Sequence, residues 1–262
     1  MELGVSGRNA IVIGGARGIG YAVARELGAA GAAVAIADID EAAANQAAAR
    51  LSKDAGVATV GVRMDVSDLD SVKAGFGAAG AAIGPLGIVV NTAAIVDDKL
   101  FVESTPQDWR RMVDICLLGP MNVLHVALPS MRAEKYGRVV CLASDSARVG
   151  QARLSYYAAA KAGVIALVKS VAQEVGRDGI TLNVVSPGAT NTELRMNREA
   201  SLRAEIGEEK YAGRQEKVLR MYPMRRIGEP EDISAMTAFL ASDRASWITG
   251  QVISVNGGFV MP

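Results

Sequence analysis

The feature that most limits the fold of this chain is an alternation that runs from one end to the other. Short apolar runs rich in β-branched residues, at 10–13, 33–37, 57–62, 88–90, 138–142, 181–185 and 252–255, are separated by longer segments of helical composition. The helical segments include 21–30, 41–53, 106–134, 156–176 and 230–241. Strands that are apolar throughout, rather than at every second position, belong to a parallel sheet buried on both faces. Right-handed crossovers then lay helices on both sides of the sheet, and ligands are expected at the carboxyl edge where the strand order reverses. The expectation is one doubly wound α/β domain over 1–262, with a seven-stranded parallel sheet. The segment 193–226 has no strand and is dense in charge, so it reads as a lid of about 190–226 over that edge.

Composition narrows the function classes. Half the residues are apolar, 28 are glycine and only 5% are aromatic, which suits close packing of helices on a sheet. Lysine plus arginine balance aspartate plus glutamate at 28 each, so there is no basic surplus for a nucleic-acid partner. Two cysteines and one histidine make neither a disulfide framework nor a zinc site, and no metal is expected. The opening MELGVSGRNA has neither a basic n-region nor an apolar h-region, so a cytoplasmic location is expected. The uncharged stretch 74–96 is long enough to span a bilayer, but Gly75, Gly77, Gly80, Gly84, Pro85, Gly87 and Asn91 break it. It reads as a helix followed by a buried strand, and no membrane partner is expected.

The first strand runs into Gly14-Gly15-Ala16-Arg17-Gly18-Ile19-Gly20 and then a helix. Glycines let the backbone approach a pyrophosphate, whose charge meets the amides at the helix N-terminus. A glycine-rich turn alone marks only a tight connection. Its place between the first strand and first helix, with Asp38 ending the second strand, marks a dinucleotide loop. A carboxylate at 38 can accept from both hydroxyls of an adenosine ribose and repels a 2′-phosphate, whereas Arg17 carries the opposite signal. Asp38 is the nearer group, so NAD is the expected cofactor.

The segment Ser155-Tyr156-Tyr157-Ala158-Ala159-Ala160-Lys161 opens a helix on which Tyr157 and Lys161 lie i and i+4, on one face. Tyr156 has only Ala160 at that spacing. A phenol with a pKa of about 10 is a poor acid–base at neutral pH. A neighbouring ammonium and the positive charge of an oxidised nicotinamide are expected to lower it.

With these motifs in place, the chain resembles the short-chain dehydrogenase/reductase family, the single-domain group of about 250 residues, over essentially its whole length. The resemblance implies a Rossmann-type fold in which Tyr157 is the acid–base and Lys161 holds the cofactor ribose. It assigns the substrate oxygen to a serine thirteen residues before the tyrosine, which is Ser144. It further implies cofactor contacts at Gly14, Arg17, Gly18, Ile19 and Gly20, and at Asp65 and Val66 beside the adenine. Asn91 and Ala93, in Asn91-Thr92-Ala93-Ala94, and Pro187, Gly188, Thr190 and Thr192 complete the set. The segments 226–232 and 255–258 resemble C-terminal signatures of the family and read as packing. The implied reaction is hydride transfer between NAD(H) and a secondary alcohol or ketone, by a homo-oligomer, dimer or tetramer. Segments 143–150 and 246–251 resemble family members acting on cyclic hydroxy compounds, including acyl-CoA thioesters.

Three positions depart from the family pattern. Ile13 stands where threonine is usual, Ala94 replaces a glycine, and Cys116 occupies the position of an asparagine whose backbone carbonyl holds a relay water. Cysteine retains that carbonyl but not the amide, and reads as a plain buried helix residue. His125 reads as a core or interface histidine, and Met196, Met221 and Met224 as lining the lid. The segment 193–226 holds nine basic and six acidic residues. Such charges read as a solvated helical face, with the sharper alternative that some arginines meet an anionic substrate. Two rival functions remain. An epimerase or dehydratase on this fold usually adds a C-terminal substrate domain, and a nucleotide-sensing binding protein would not need Ser144, Tyr157 and Lys161 together.

Overall fold

The computed structural model describes residues 2–261. Seven strands form a single sheet: β1 (Asn9–Ile13), β2 (Ala33–Asp38), β3 (Thr59–Arg63), β4 (Ile88–Asn91), β5 (Gly137–Leu142), β6 (Ile180–Pro187) and β7 (Val252–Val255). Every neighbouring pair is parallel, in the order β3-β2-β1-β4-β5-β6-β7. The order reverses between β1 and β4. The connections leaving those two strands diverge, and the crevice between them opens at the carboxyl edge of the sheet. The fold is the Rossmann-type α/β arrangement expected from the alternation.

Successive side chains on each strand enter opposite layers, and both layers are apolar. Ile11, Ile13, Val89, Val139, Leu182 and Val184 face one core. It is closed by α3 (Leu69–Ile83), α5 (Gly119–Glu134) and α7 (Ser155–Val175). Ala10, Val12, Val34, Ile36, Val90, Val140 and Val185 face the other, under α1 (Gly18–Ala29), α2 (Glu41–Ala55) and α10 (Pro230–Leu240). Alanines on the buried face of α2 (Ala44, Ala47 and Ala48) allow that helix to lie close on the sheet.

The structure differs from the sequence reading at two places. The third strand begins at Thr59 rather than 57, because Gly56 ends α2 in a left-handed conformation (φ 67°) and the next residues turn the chain. The single helix expected over 106–134 is α4 (Pro106–Val113) and α5, joined by a π turn at Asp114–Leu118. Its start is set by a capping box in which Thr105 and Asp108 satisfy each other's backbone N–H. The run Pro106–Glu134 is apolar and long enough to cross a membrane, yet Val123, Leu124, Ala127 and Met131 are packed into the sheet core. Segment 193–226 folds as two charged helices, α8 (Glu193–Ile206) and α9 (Glu208–Met221), between β6 and α10. The short α6 (Ser146–Val149) follows β5.

Leu182 is fully buried on β6, between β5 and β7. Leu182→Ala should lower stability by about 2–5 kcal/mol through lost transfer energy and a residual cavity. In urea the midpoint should fall with the slope unchanged; a loss below about 1 kcal/mol would contradict this packing.

Candidate active site

The residues expected to meet a dinucleotide converge at the reversal of strand order. A Cβ at Gly14 would lie 2.8 Å from the Ala93 backbone nitrogen, and one at Gly20 would lie 2.2 Å from the Gly14 carbonyl oxygen. Glycine is therefore required for the loop to lie flush against the turn after β4. The Thr92 hydroxyl donates to the Ile13 carbonyl at 2.8 Å and lies 3.1 Å from that of Gly14. The end of β4 is thus tied to the end of β1 and the glycine loop. No acidic residue lies in the first turn of α1 and no side chain caps it, so its amides stay free for an anion. Asn91 is buried, and its amide nitrogen has no partner.

Asp38 ends β2. Its carboxylate accepts from the Ala16 and Asp40 amides, both at 3.3 Å. Arg17 is held between two other acids, Asp40 at 3.7 Å and Glu193 at 3.4 Å. In Asp65 one oxygen accepts from the Ser67 amide at 3.0 Å and from its hydroxyl at 2.6 Å. Val66 is buried, and its carbonyl accepts from the Asn122 side chain. Beyond β6, the Gly188 amide bonds to the Val255 carbonyl, Thr190 is buried and bridges to Gly228, and Thr192 caps α8 beside Gly18. The glycine loop and the start of α8 are therefore in contact.

Ser144 lies just past β5, while Tyr157 and Lys161 share a face of α7 as their spacing requires. The Lys161 Nζ donates to the Leu142 carbonyl at 2.8 Å and lies 5.9 Å from the centre of the Tyr157 ring. Ser144 Oγ accepts from both the amide (3.3 Å) and the hydroxyl (2.9 Å) of Ser146. With those acceptor positions filled, its own proton is free to donate. Tyr156 points elsewhere, donating to Asp97 at 3.0 Å, and burial with that carboxylate raises its pKa to about 12.

The Tyr157 phenol is buried beside Cys116 and Ser144. Burial is the largest influence and pushes its pKa up, and Cys116 adds to this; hydrogen bonding from Ser144 and the charge of Arg198 pull it back. Lys161 is itself desolvated, and burial pushes its pKa down. Cys116 is fully buried within the π turn, its thiol 3.5 Å from the Ile95 carbonyl. A π turn takes backbone groups out of the regular helical ladder, at the position where the family resemblance places a carbonyl contact. Cys141 is also buried, and burial raises its pKa to about 12. His125 is exposed, which excludes the core half of its expected role.

One element escaped the sequence reading. Asp145 is 2% exposed, and its carboxylate accepts from Ser186 at 2.8 Å, Asn256 at 2.5 Å and Ser254 at 3.5 Å. Its amide donates to the Pro187 carbonyl. The turn carrying Ser144 is thereby tied to β6, β7 and the segment 255–258 that read as packing. The only hint was an acid directly after the serine, which on sequence looks like any loop residue. Most lid charges pair locally and are exposed, as with Arg203–Glu208 and Arg220–Glu216. Met196, Met221 and Met224 are exposed on the same segment.

A seven-stranded parallel sheet with this cradle and a Ser–Tyr–Lys cluster on its carboxyl edge defines a nicotinamide-type oxidoreductase site. A family model described as enoyl-(acyl carrier protein) reductase matches residues 14–260. An acetoacetyl-CoA reductase of Shinella zoogloeoides is 37% identical, covering 96% of this chain and 98% of that protein. A cis-4-hydroxycyclohexanecarboxylate dehydrogenase of Sinomonas cyclohexanicum is 40% identical, covering 96% of each. A 3-oxoacyl-(acyl-carrier-protein) reductase of Staphylococcus aureus (strain Mu50 / ATCC 700699) is 35% identical, covering 97% of this chain and 98% of that one. The chain belongs to the short-chain dehydrogenase/reductase family, and is an oxidoreductase of it.

Asp145→Ala should leave the buried Ser186 hydroxyl without an acceptor, at about 1–3 kcal/mol, and should reduce the Asn256 amide to its bond with the Val260 carbonyl. A chemical-denaturation midpoint equal to wild type would show that the cluster does not hold the turn.

Proposed function

We propose that this chain interconverts a secondary alcohol and a ketone with NAD(H), on a cyclic or acyl-CoA-linked hydroxy compound. The observation that carries the reading is the convergence of Ser144, Tyr157 and Lys161 beside the glycine cradle at the sheet's reversal. In that reading Gly14, Arg17, Gly18, Ile19 and Gly20 surround the pyrophosphate, Asp38 binds the adenosine ribose, and Asp65 and Val66 flank the adenine. Asn91, Ala93, Lys161, Pro187, Gly188, Thr190 and Thr192 line the remaining half of the cofactor. The fit rests on the flush glycine backbone, the uncapped amides of α1 and the unpartnered Asn91 amide. The nicotinamide, when bound, supplies or accepts the hydride.

The chain's own residues manage the proton. Ser144, with Ser146 occupying its acceptor positions, donates to the substrate oxygen and keeps it in place. Tyr157 gives its proton to that oxygen in reduction and takes it back in oxidation. Burial favours the protonated phenol, which suits donation; the charge of Arg198 favours the phenolate, which suits abstraction. Lys161, fixed by the Leu142 carbonyl, holds the ribose and adds positive charge beside the phenol. Stabilising charge on the oxygen as it develops is the largest expected contribution to the rate.

The preference for NAD rests on two arrangements. Asp38 stands at the end of β2 where a ribose hydroxyl is expected, and a 2′-phosphate there would face Asp38 and Asp40 together. Arg17, the cation that would offset them, already lies between Asp40 and Glu193. The substrate class is supported by the names of the relatives, which include enzymes of an acetoacetyl-CoA and of a hydroxycyclohexanecarboxylate.

Hydroxycyclohexanecarboxylates and 3-hydroxyacyl-CoA esters, assayed with both cofactors, should show kcat/KM for NAD(H) at least about tenfold above NADP(H), or ~1.4 kcal/mol. Asp38→Ala should narrow or reverse that ratio. A wild-type preference for NADPH would mean that Arg17 outweighs Asp38.

A further inference from the structure

The segment 255–258 reads as packing from its sequence, yet Asn256 stands between two turns that the proposed reaction has to hold in register. One is the turn carrying Ser144 and Asp145. The other is Pro187-Gly188, which lines the cofactor in the reading above. The Asn256 Nδ2 donates to one oxygen of the Asp145 carboxylate at 2.5 Å. On the opposite side, the Gly188 amide donates to the Val255 carbonyl at 3.1 Å. A Cβ on Gly188 would lie 3.0 Å from both the Cα and the Cβ of Asn256. Gly188 therefore rests directly on Asn256, with no room for a side chain between them.

Asn256 is itself held on every polar atom of its side chain. Its Nδ2 also donates to the Val260 carbonyl at 2.8 Å, and its Oδ1 accepts from the Gly258 amide at 2.9 Å. The turn so closed carries the chain that follows α9: the Met224 amide donates to the Gly257 carbonyl, and Phe259 stacks on Tyr222 with ring centres 5.0 Å apart. On the Ser144 side, the Ala143 and Asp145 amides donate to the Val185 and Pro187 carbonyls, which lays the main chain beside β6. The Asp145 carboxylate, almost fully buried, still needs donors. It takes them from Ser186 on β6, from Ser254 on β7 and from Asn256. Of these three, Asn256 is the one on which Gly188 rests.

We propose that Asn256 is a positioning residue for this reaction: acting through Asp145, it sets the spacing between Ser144 and the Pro187-Gly188 turn. The proposal rests on the reaction assigned above. There Ser144 fixes the substrate oxygen and Pro187-Gly188 supports the cofactor, so the distance between the two turns governs how the reacting groups meet. A misplacement of about 1 Å can cost on the order of a hundredfold in rate. Asn256 touches neither substrate nor cofactor in this arrangement. Its loss therefore falls on turnover and spares cofactor affinity.

The test compares wild type with Asn256→Ala, Asn256→Asp and the exchange Asn256→Asp/Asp145→Asn. Asn256→Asp sets two carboxylates face to face, and the exchange restores one donor opposite one acceptor. Amide hydrogen exchange without cofactor should be faster in the peptide 143–150 of both single variants and return toward wild type in the exchange. Turnover is then measured with NAD and the best alcohol among hydroxycyclohexanecarboxylates and 3-hydroxyacyl-CoA esters, at a temperature where the proteins are folded. The single variants should lose at least about tenfold in kcat and the exchange should recover to within about threefold of wild type. NADH affinity, read by fluorescence, should stay within about threefold throughout. In a Ser144→Ala background, Asn256→Ala should cost less than about twofold, because the group it positions is gone. If Asn256→Asp does not fold, Asn256→Ala, which leaves Asp145 both serines, decides together with that background. Unchanged kcat in a folded single variant, with or without a loosened 143–150 peptide, would overturn the proposal and leave the reaction standing. So would an equal loss in the Ser144→Ala background, a matching loss of NADH affinity, or a folded exchange variant that does not recover. A wild type that oxidises no secondary alcohol with either cofactor would instead remove the reaction, and the proposal with it.

Discussion

The structure depends on the close approach of two strand ends at the point where the sheet reverses direction. β1 and β4 are adjacent, yet the chains leaving them part company, and what fills the gap is backbone. The Gly14 peptide lies against Ala93, and the Thr92 hydroxyl ties β4 to the carbonyls of Ile13 and Gly14. A side chain at position 14 or 20 would push the loop off that turn. With the loop flush, the first-turn amides of α1, the carboxylate of Asp38 and the buried Asn91 lie around one crevice. Everything that a dinucleotide would touch follows from that contact.

The chemical half of the site is tied down from the other side. Lys161 reaches back to the last carbonyl of β5, so α7 cannot slide along the sheet without breaking a bond between a buried ammonium and a backbone oxygen. Ser144 is steadied twice, by Ser146 within its own turn and by Asp145, which binds that turn to β6, β7 and the C-terminal segment. The helix α8 joins both halves. Glu193, at its start, meets Arg17 of the glycine loop, and Arg198, one turn later, meets Asp98 in the loop after β4. A helix so anchored is placed to respond to both ligands, even though most of its charges face solvent.

The sheet was legible in the sequence because buried parallel strands are apolar at every position, and the Tyr157–Lys161 pair because helical spacing is rigid. The glycine loop became legible only when Asp38 was read with it. What could not be read had three physical causes. The π turn at Asp114–Leu118 leaves no mark in the sequence, since Asp-Ile-Cys-Leu-Leu reads as an ordinary stretch of helix. The role of Asp145 depends on partners 41 and 111 residues away, brought together only by the sheet. The burial of Tyr157, which opposes the neighbouring lysine, is set by the fold and not by the helical spacing. The lid's charges were visible as a cluster, but only the fold separates Arg198 from the exposed remainder.

The account stands or falls on Tyr157 as the proton carrier. Steady-state turnover of the Tyr157→Phe protein, measured together with NADH binding by fluorescence, tests it most directly. Turnover should fall by several orders of magnitude while NADH affinity stays within about threefold, because the phenol oxygen is removed and the cofactor's contacts remain. A variant that keeps more than about a tenth of wild-type turnover would contradict the account.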